Sequence, residues 1–297
     1  MEAKVLDSEN RPPRVWPILL IIPTSLVAFL IASFLAIPIA YVIATGTLDM
    51  GLVRKDSLKT IMSSRAAFTF VVVMPQIALM TPALIASLLS PEPIRRRLGL
   101  VRGYWPYWTW VTAAITTPII GWISSIILGS LMSESESLQM MTDTFRQLGK
   151  GGFLIPLACI IGLTPAICEE VLFRGYVQTR LNQRIGPFFG IAVSSFLFAV
   201  FHMDPVQSLA VFPIGVYLGL ISWKSGSLLP AMLGHFVNNA ISVIAALLGP
   251  ASMDDTISPE FMLFIFVVGV AGLGSGAITT MVFFVYPRLA RTEQLVS

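Results

Sequence analysis

The sequence predicts an all-α membrane protein, a polytopic bundle of about eight transmembrane helices. Of its 297 residues, 55% are apolar and only 12% are charged, which is about half the charged share of a typical soluble domain. The mean hydropathy is +0.81. Apolar stretches long enough to cross a hydrocarbon core of about 30 Å recur along the chain. A water-soluble protein of this length needs more polar surface, so the expected solvent is the lipid bilayer.

The candidate spans are eight apolar runs, and the longer ones exceed the ~20 residues that a spanning helix needs. The first run begins at Trp16 and is too long for a signal-peptide core of about 7–15 residues, so we expect it to form the first transmembrane helix. Only Asp204 and Pro205 separate the two shortest runs, and Pro favours the first position of a helix. The runs are 16–44, 67–90, 105–132, 151–173, 187–203, 205–223, 227–249 and 260–286.

Two polar stretches between these runs are expected to lie in the membrane interface. Residues 91–104 are basic and interrupted by prolines, and residues 175–186 interleave polar and apolar side chains. Short amphipathic segments of this kind lie in the plane of the lipid headgroups.

The Lys and Arg residues predict the orientation and the partners. If the N-terminus is cytoplasmic, the cytoplasmic segments hold twice as many of them as the outer loops, so both termini are expected on the cytoplasmic side of the cell membrane. The net charge of +3 does not indicate a nucleic-acid partner, because these residues are spread over short loops and form no basic stripe. Membrane lipid headgroups are the expected partners.

Ionisable side chains inside the fourth run are the most informative feature of the sequence. Glu169, Glu170 and Arg174 end this run, although a charge at the bilayer centre costs about 2.5–3.5 kcal/mol even on lenient insertion scales. Glu170 and Arg174 are four residues apart, so they share a helix face and can pair. Adjacent helix positions point about 100° apart. Glu169 is therefore left without a local partner and is the candidate for chemistry.

Two further motifs place polar groups in later runs. Phe198-x-x-x-His202 ends the fifth run, and His235-x-x-x-Asn239 lies in the seventh; these are the two histidines of the chain. Each pair alone is compatible with a structural hydrogen bond between helices. Together with a carboxylate they are the parts of a hydrolytic site, in which the carboxylate takes a proton from water, an imidazole orients it, and the remaining donors stabilise an oxyanion.

The same groups leave a metal-dependent alternative open. Glu169, His202 and His235 could supply three ligands to a divalent ion such as zinc, which would lower the pKa of a bound water. The H-E-x-x-H helix of many zinc proteases is absent from the sequence. The cofactor is thus either a divalent metal or none.

The succession of E-E-x-x-x-R, F-x-x-x-H and H-x-x-x-N in apolar helices resembles the CPBP family, the CAAX proteases and bacteriocin-processing enzymes also called Abi proteins. These are intramembrane endopeptidases. The resemblance covers about residues 150–245 and includes a glycine-containing stretch from Phe212 to Gly219. It implies three parts of the chain: about three membrane helices with basic loops in 1–150, a catalytic core in 151–249, and a last helix and short tail in 250–297.

The resemblance also implies residue roles. Glu169 would be the catalytic carboxylate, His202 its partner on the water, and His235 and Asn239 the oxyanion donors. Glu170, Arg174 and Phe198 would support them. Members of the family have been described both as metalloproteases and as glutamate-dependent proteases.

The expected activity is hydrolysis of a peptide bond in a membrane-associated peptide or a lipidated, CAAX-type protein. One alternative is a non-catalytic scaffold or a bacteriocin-immunity-type protein. A second is a proton-coupled transporter that uses Glu169 and the histidines as a relay, although the inverted repeats frequent in transporters are not visible.

Counting residues along the predicted spans raises a difficulty. Glu169 falls near the inner face and His202 near the outer end of its run, about 15 Å apart along the membrane normal. The two can meet only if a helix is tilted, kinked or displaced, and Pro165 could provide a kink. We expect a water-filled cavity that reaches both residues.

Overall fold

The computed structural model describes residues 14–47, 55–250 and 256–286. All regular secondary structure in these ranges is helical. Seven helices are long and apolar enough to cross a membrane, so the prediction of an all-α polytopic bundle is confirmed. The predicted orientation stays a prediction, since residues 1–13 and 287–297 lie outside the described residues.

Twelve α-helices and one π-helical segment make up this part of the chain. In order they are α1 (Trp16–Thr45), α2 (Lys55–Ser63), α3 (Arg65–Leu88), α4 (Ile94–Arg97), α5 (Tyr107–Gly129), α6 (Glu136–Gly149), α7 (Leu154–Glu170), the π-helical segment (Val171–Gln178), α8 (Thr179–Ile185), α9 (Pro187–Val200), α10 (Pro205–Ser225), α11 (Leu229–Leu248) and α12 (Pro259–Val285).

The central element is a continuous helix of 32 residues, Leu154–Ile185, which joins α7, the π-helical segment and α8. Residues 175–185 therefore continue a membrane-spanning helix and do not form the separate in-plane segment that was expected. Tyr176 and Gln178 are buried, and the Gln178 amide donates to the Gly219 carbonyl at 2.9 Å. Arg180 is also buried, with its guanidinium 3.3 Å from the centre of the Tyr176 ring. Tertiary contacts thus satisfy polar groups that the sequence pattern assigns to the interface.

The eighth predicted span, 187–203, is a helix of 14 residues, α9. At 1.5 Å per residue it is about 21 Å long, too short to cross about 30 Å of hydrocarbon alone. It starts after Gly186, whose φ of +83° permits the sharp reversal from α8. α9 then runs back along the central helix, where the Ser194 hydroxyl donates to the Phe173 carbonyl at 2.8 Å.

Because α9 has only 14 residues, Glu169 and His202 are not separated by the expected ~15 Å along the membrane normal. Glu169 lies halfway along Leu154–Ile185, about 24 Å from its C-terminal end. His202 follows the end of α9, about 22 Å back from the same reversal. The two residues therefore come to the same level through the reversal between α8 and α9.

The core surrounds the π-helical segment. Leu172, Phe173 and Val177 are buried there with Phe198 of α9 and Leu228, the residue before α11. Helix α3 packs against both α7 and the π-helical segment, and α1 packs against α3. Helices from the first 150 residues thus form part of the wall around the centre of the chain.

Candidate functional site

A buried ion pair lies where α7 passes into the π-helical segment. The Arg174 guanidinium donates from Nη1 to Glu170 Oε1 at 2.8 Å and from Nη2 to the Gly215 carbonyl at 3.0 Å. Both side chains of the pair are fully buried. The pairing expected from the four-residue spacing is present, and a backbone carbonyl of α10 takes a second guanidinium bond.

His235 of α11 lies between the two adjacent glutamates. Its Nδ1 is 2.9 Å from Glu170 Oε1, and its Nε2 is 3.8 Å from Glu169 Oε2. Buried charges need pairing to offset the loss of hydration. Glu169, Glu170, Arg174 and His235 thus form one buried cluster of charged and titratable groups.

Of the two carboxylate oxygens of Glu169, one accepts a hydrogen bond from a described residue and the other does not. Its Oε1 accepts a hydrogen bond of 2.8 Å from the Gln76 amide of α3. Its Oε2 is buried and has no hydrogen-bond partner among the described residues. The neighbouring polar atom on this side is His235 Nε2, at 3.8 Å.

His202 is oriented by the helix end that carries it. Its Nδ1 lies 3.0 Å from the Phe198 carbonyl, which can only accept, so Nδ1 carries the proton and Nε2 keeps a lone pair. The Phe198 ring is edge-on to His202 at 5.0 Å and to His235 at 5.8 Å between centroids. The Arg174 guanidinium lies 4.2 Å from the centre of the same ring, so Phe198 packs against three groups of the site.

Glu169 and His202 line one cavity of about 170 Å³. That volume is enough for several water molecules. Gln76 is the third polar side chain in its wall, and the remaining lining residues are apolar: Phe29, Leu79, Phe173, Phe198, Phe201 and Met203. The expectation of a cavity that reaches both Glu169 and His202 is confirmed.

Residues 151–241 match the protein family described as type II CAAX prenyl endopeptidase Rce1-like. We call residues 151–241 the Rce1-like segment, after the family that they match. It contains all three motifs, from Glu169 to Asn239, and the predicted resemblance to the CPBP family is thereby confirmed. The Rce1-like segment covers about a third of the chain, and helices α1, α3 and α12 lie outside it.

One curated protein also shows similarity to part of the chain. NAD(P)H-quinone oxidoreductase subunit 5 of the chloroplast of Anthoceros angustus is 28% identical over 102 residues, which are 34% of this chain. The chain spans only 13% of the length of that relative. No solved structure matches the chain.

Within the Rce1-like segment, Asn239 is separated from the other motif residues. Its amide nitrogen donates to the Ile161 carbonyl of α7 at 3.3 Å, and its oxygen accepts from Asn238 at 3.1 Å. Ile161 precedes Glu169 by eight residues, about 12 Å along the helix. Asn239 is not among the residues that line the cavity. In this conformation it joins α11 to α7.

The Rce1-like segment does not assemble the three-ligand metal site that the sequence left open. In residues 14–47, 55–250 and 256–286, no three His, Cys, Asp or Glu side chains are placed to hold one metal ion together. His235 is bonded through Nδ1 to Glu170, and His202 is bonded through Nδ1 to a backbone carbonyl. These Nδ1 bonds leave Nε2 of both histidines free, so it is the spacing of Glu169, His202 and His235, and not their hydrogen bonding, that does not fit a shared ion.

Sequence reasoning missed Gln76, which lies 93 residues before Glu169 and outside the Rce1-like segment. It is the single amide side chain in α3, a helix of otherwise apolar, hydroxyl and terminal basic residues. An amide in a membrane helix usually finds a partner on a neighbouring helix. That signal was visible in the run 67–90, but the identity of the partner was not.

Proposed function

We propose that the protein is an intramembrane endopeptidase that hydrolyses a peptide bond in a membrane-associated or prenylated, CAAX-type substrate. The attacking nucleophile is a water activated by Glu169 and His202. One observation supports this most directly: Glu169, which has an unpartnered carboxylate oxygen, and His202 line the same cavity inside a bundle of membrane helices. The Rce1-like match of the segment that carries both residues supports the same reaction class.

Glu169 acts as the general base. A water in the cavity loses a proton to the Glu169 carboxylate while its oxygen attacks the substrate carbonyl carbon. His202 accepts a hydrogen bond from this water at Nε2, because its Nδ1 proton is committed to the Phe198 carbonyl. The water is then held by two acceptors, which directs its lone pair toward the carbon.

The tetrahedral intermediate carries its negative charge on the former carbonyl oxygen. His235 and Asn239 are the proposed donors to this oxyanion. When His235 is protonated, Nε2 is a donor adjacent to Glu169, with Nδ1 fixed by Glu170. Asn239 must first exchange its bond to the Ile161 carbonyl for the substrate oxygen.

Collapse of the intermediate breaks the C–N bond. The proton that Glu169 accepted is returned to the leaving nitrogen, so that the products are a carboxylic acid and an amine and Glu169 is ionised again. Glu170 and Arg174 do not contact the reacting atoms in this scheme. They fix His235 and neutralise the cluster.

The decisive experiment compares protein termini in membranes of cells that express the wild type or Glu169→Gln at equal levels. New N- and C-termini that appear only with the wild type are the expected result. The matched control is Glu136→Gln, the same chemical change at an exposed position of α6, and it should retain every product. Identical termini in wild type and Glu169→Gln, with the control also unchanged, would reject the protease and favour the scaffold alternative.

A further inference from the structure

Gln76 is the one polar residue of the cavity that comes from outside the Rce1-like segment. It lies on α3, and Leu79, three residues later on the same helix face, lines the cavity as well. α3 packs along α7 and the π-helical segment. One face of a helix from the first 150 residues therefore closes the cavity over Glu169.

The hydrogen bond from Gln76 occupies one of the two carboxylate oxygens. Nε2 donates to Glu169 Oε1 at 2.8 Å, and Glu169 Oε2 is left without a partner. A hydrogen bond to an ionised group is about twice as strong as one between neutral groups. The bond restricts rotation of the Glu169 carboxylate and distinguishes its two oxygens, one with a donor on α3 and one without a donor among the described residues.

We propose that Gln76 is a positioning residue for the general base: its hydrogen bond fixes the orientation of the Glu169 carboxylate and leaves Oε2 without a donor from the described part of the protein. The inference rests on the proposed function, because it gives Gln76 a role in that reaction. A residue that only joined two helices would affect stability and leave kcat unchanged.

The other charged or titratable groups around Glu169 are known from the structure. Cys168, Glu170 and Arg174 are on its own helix, His235 comes from α11, and His202 shares its cavity. Gln76 adds no charge of its own. Replacing it with a neutral side chain of similar size therefore removes one donor and keeps the charges of the cluster.

The first test observes the Glu169 carboxyl directly, without a substrate. Infrared spectra of the full-length protein in phospholipid vesicles record the carboxyl stretching bands, and the difference from Glu169→Gln identifies the Glu169 contribution. In Gln76→Met this contribution should shift in frequency, because the Glu169 carboxyl has lost a donor. An unchanged band would overturn the inference. Thr81→Val, a change at a partly exposed position of the same helix, should give the wild-type band.

The second test measures cleavage of a fluorescence-quenched peptide in which three residues follow a farnesylated cysteine, as in a CAAX sequence. Gln76→Met should lower kcat about 10- to 100-fold, the loss of one bond to a charged group, with KM within about twofold of the wild type. A rise in KM at unchanged kcat would overturn the positioning role and indicate a contact with the substrate. Thr81→Val should stay within about twofold for both constants.

Gln76→Glu supplies a readout that a purely structural bond does not predict. The introduced carboxyl can donate to Glu169 only while it is protonated, and once ionised it places a second negative charge beside the base. The ratio of variant to wild-type kcat should therefore fall as the pH rises. A ratio that does not depend on pH would contradict the inference.

Different results would overturn the proposed endopeptidase function and the positioning role of Gln76. If Glu169→Gln cleaves the peptide as the wild type does, or the wild type does not cleave it, the catalytic role of Glu169 and the positioning role of Gln76 both fall. If Glu169→Gln is inactive and Gln76→Met retains the wild-type kcat and infrared band, only the inference about Gln76 is overturned.

Discussion

Glu170 and His235 are joined by a contact of 2.9 Å between Oε1 and Nδ1, across 65 residues of sequence. The same oxygen accepts the Arg174 guanidinium at 2.8 Å. One fully buried carboxylate thus orients both the histidine next to the proposed base and the arginine behind it. This geometry accounts for two consecutive glutamates with different roles: Glu170 organises the cluster and Glu169 faces the cavity.

Glu170→Gln should destabilise the folded protein by about 3–5 kcal/mol, because Arg174 is then a buried charge without its counter-ion. Unfolding in mixed micelles, followed by circular dichroism against denaturant, measures this change. The matched control is Glu92→Gln, which breaks a pair with Arg97 that is partly exposed and should cost less than about 1 kcal/mol. Equal losses for the two variants would show that Glu170 does not have this structural role.

Gly219→Ala should destabilise the protein by about 1–3 kcal/mol through overpacking. A Cβ at this position would lie 2.7 Å from Gln178 Oε1 and 2.9 Å from the Ile191 side chain, where the Gln178 amide bonds the Gly219 carbonyl. Thermal unfolding of the two proteins side by side measures the loss. Gly274→Ala is the control, since an added Cβ there has no neighbour within 4 Å. Comparable midpoints for the Gly219 variant and the wild type would contradict the close packing of α10 on the π-helical segment.

Asp204 should stabilise the start of α10 in a pH-dependent way. Its carboxylate accepts the Gln207 amide at 2.8 Å and the Ser137 hydroxyl at 2.6 Å. The Gln207 bond and then the Ser137 bond lower the pKa of Asp204 from its ordinary 3.8 to about 2. The stabilisation is thus complete above the ordinary pKa and is lost as the pH falls from about 4 toward 2.

The difference in Tm between wild type and Asp204→Ala measures this effect. It should be constant near neutral pH and shrink below about pH 4. Ser137→Ala removes one of the two bonds and should give a smaller difference with the same pH dependence. A difference between wild type and Asp204→Ala that stays constant down to pH 2 would exclude the ionised cap.

Features set by local spacing could be predicted from the sequence. Seven spans follow from apolar length alone, and the Glu170–Arg174 pair follows from a separation of four residues on a helix. The Rce1-like match includes every motif residue that sequence reasoning selected. The division at residues 150 and 249 stays a prediction.

Other features depended on how the helices pack. The sequence pattern placed residues 175–186 in the interface, but contacts of Tyr176 and Gln178 with neighbouring helices bury them. The roles assigned to the motif residues stay predictions, and Asn239 illustrates why: its partner in the structure is a carbonyl of α7, which no motif indicates.

The sequence by itself determined that this chain is a helical membrane bundle with a costly carboxylate and two histidines inside it, because hydrophobic length and helical period are local properties. Only the tertiary structure decided that α9 stops at half length, which brings His202 to the level of Glu169, and that Gln76 bonds a carboxylate 93 residues away. Contacts between helices depend on the rotation and level at which the helices pack. Those quantities are set by all the neighbours of a helix together and cannot be read from the spacing within one of them.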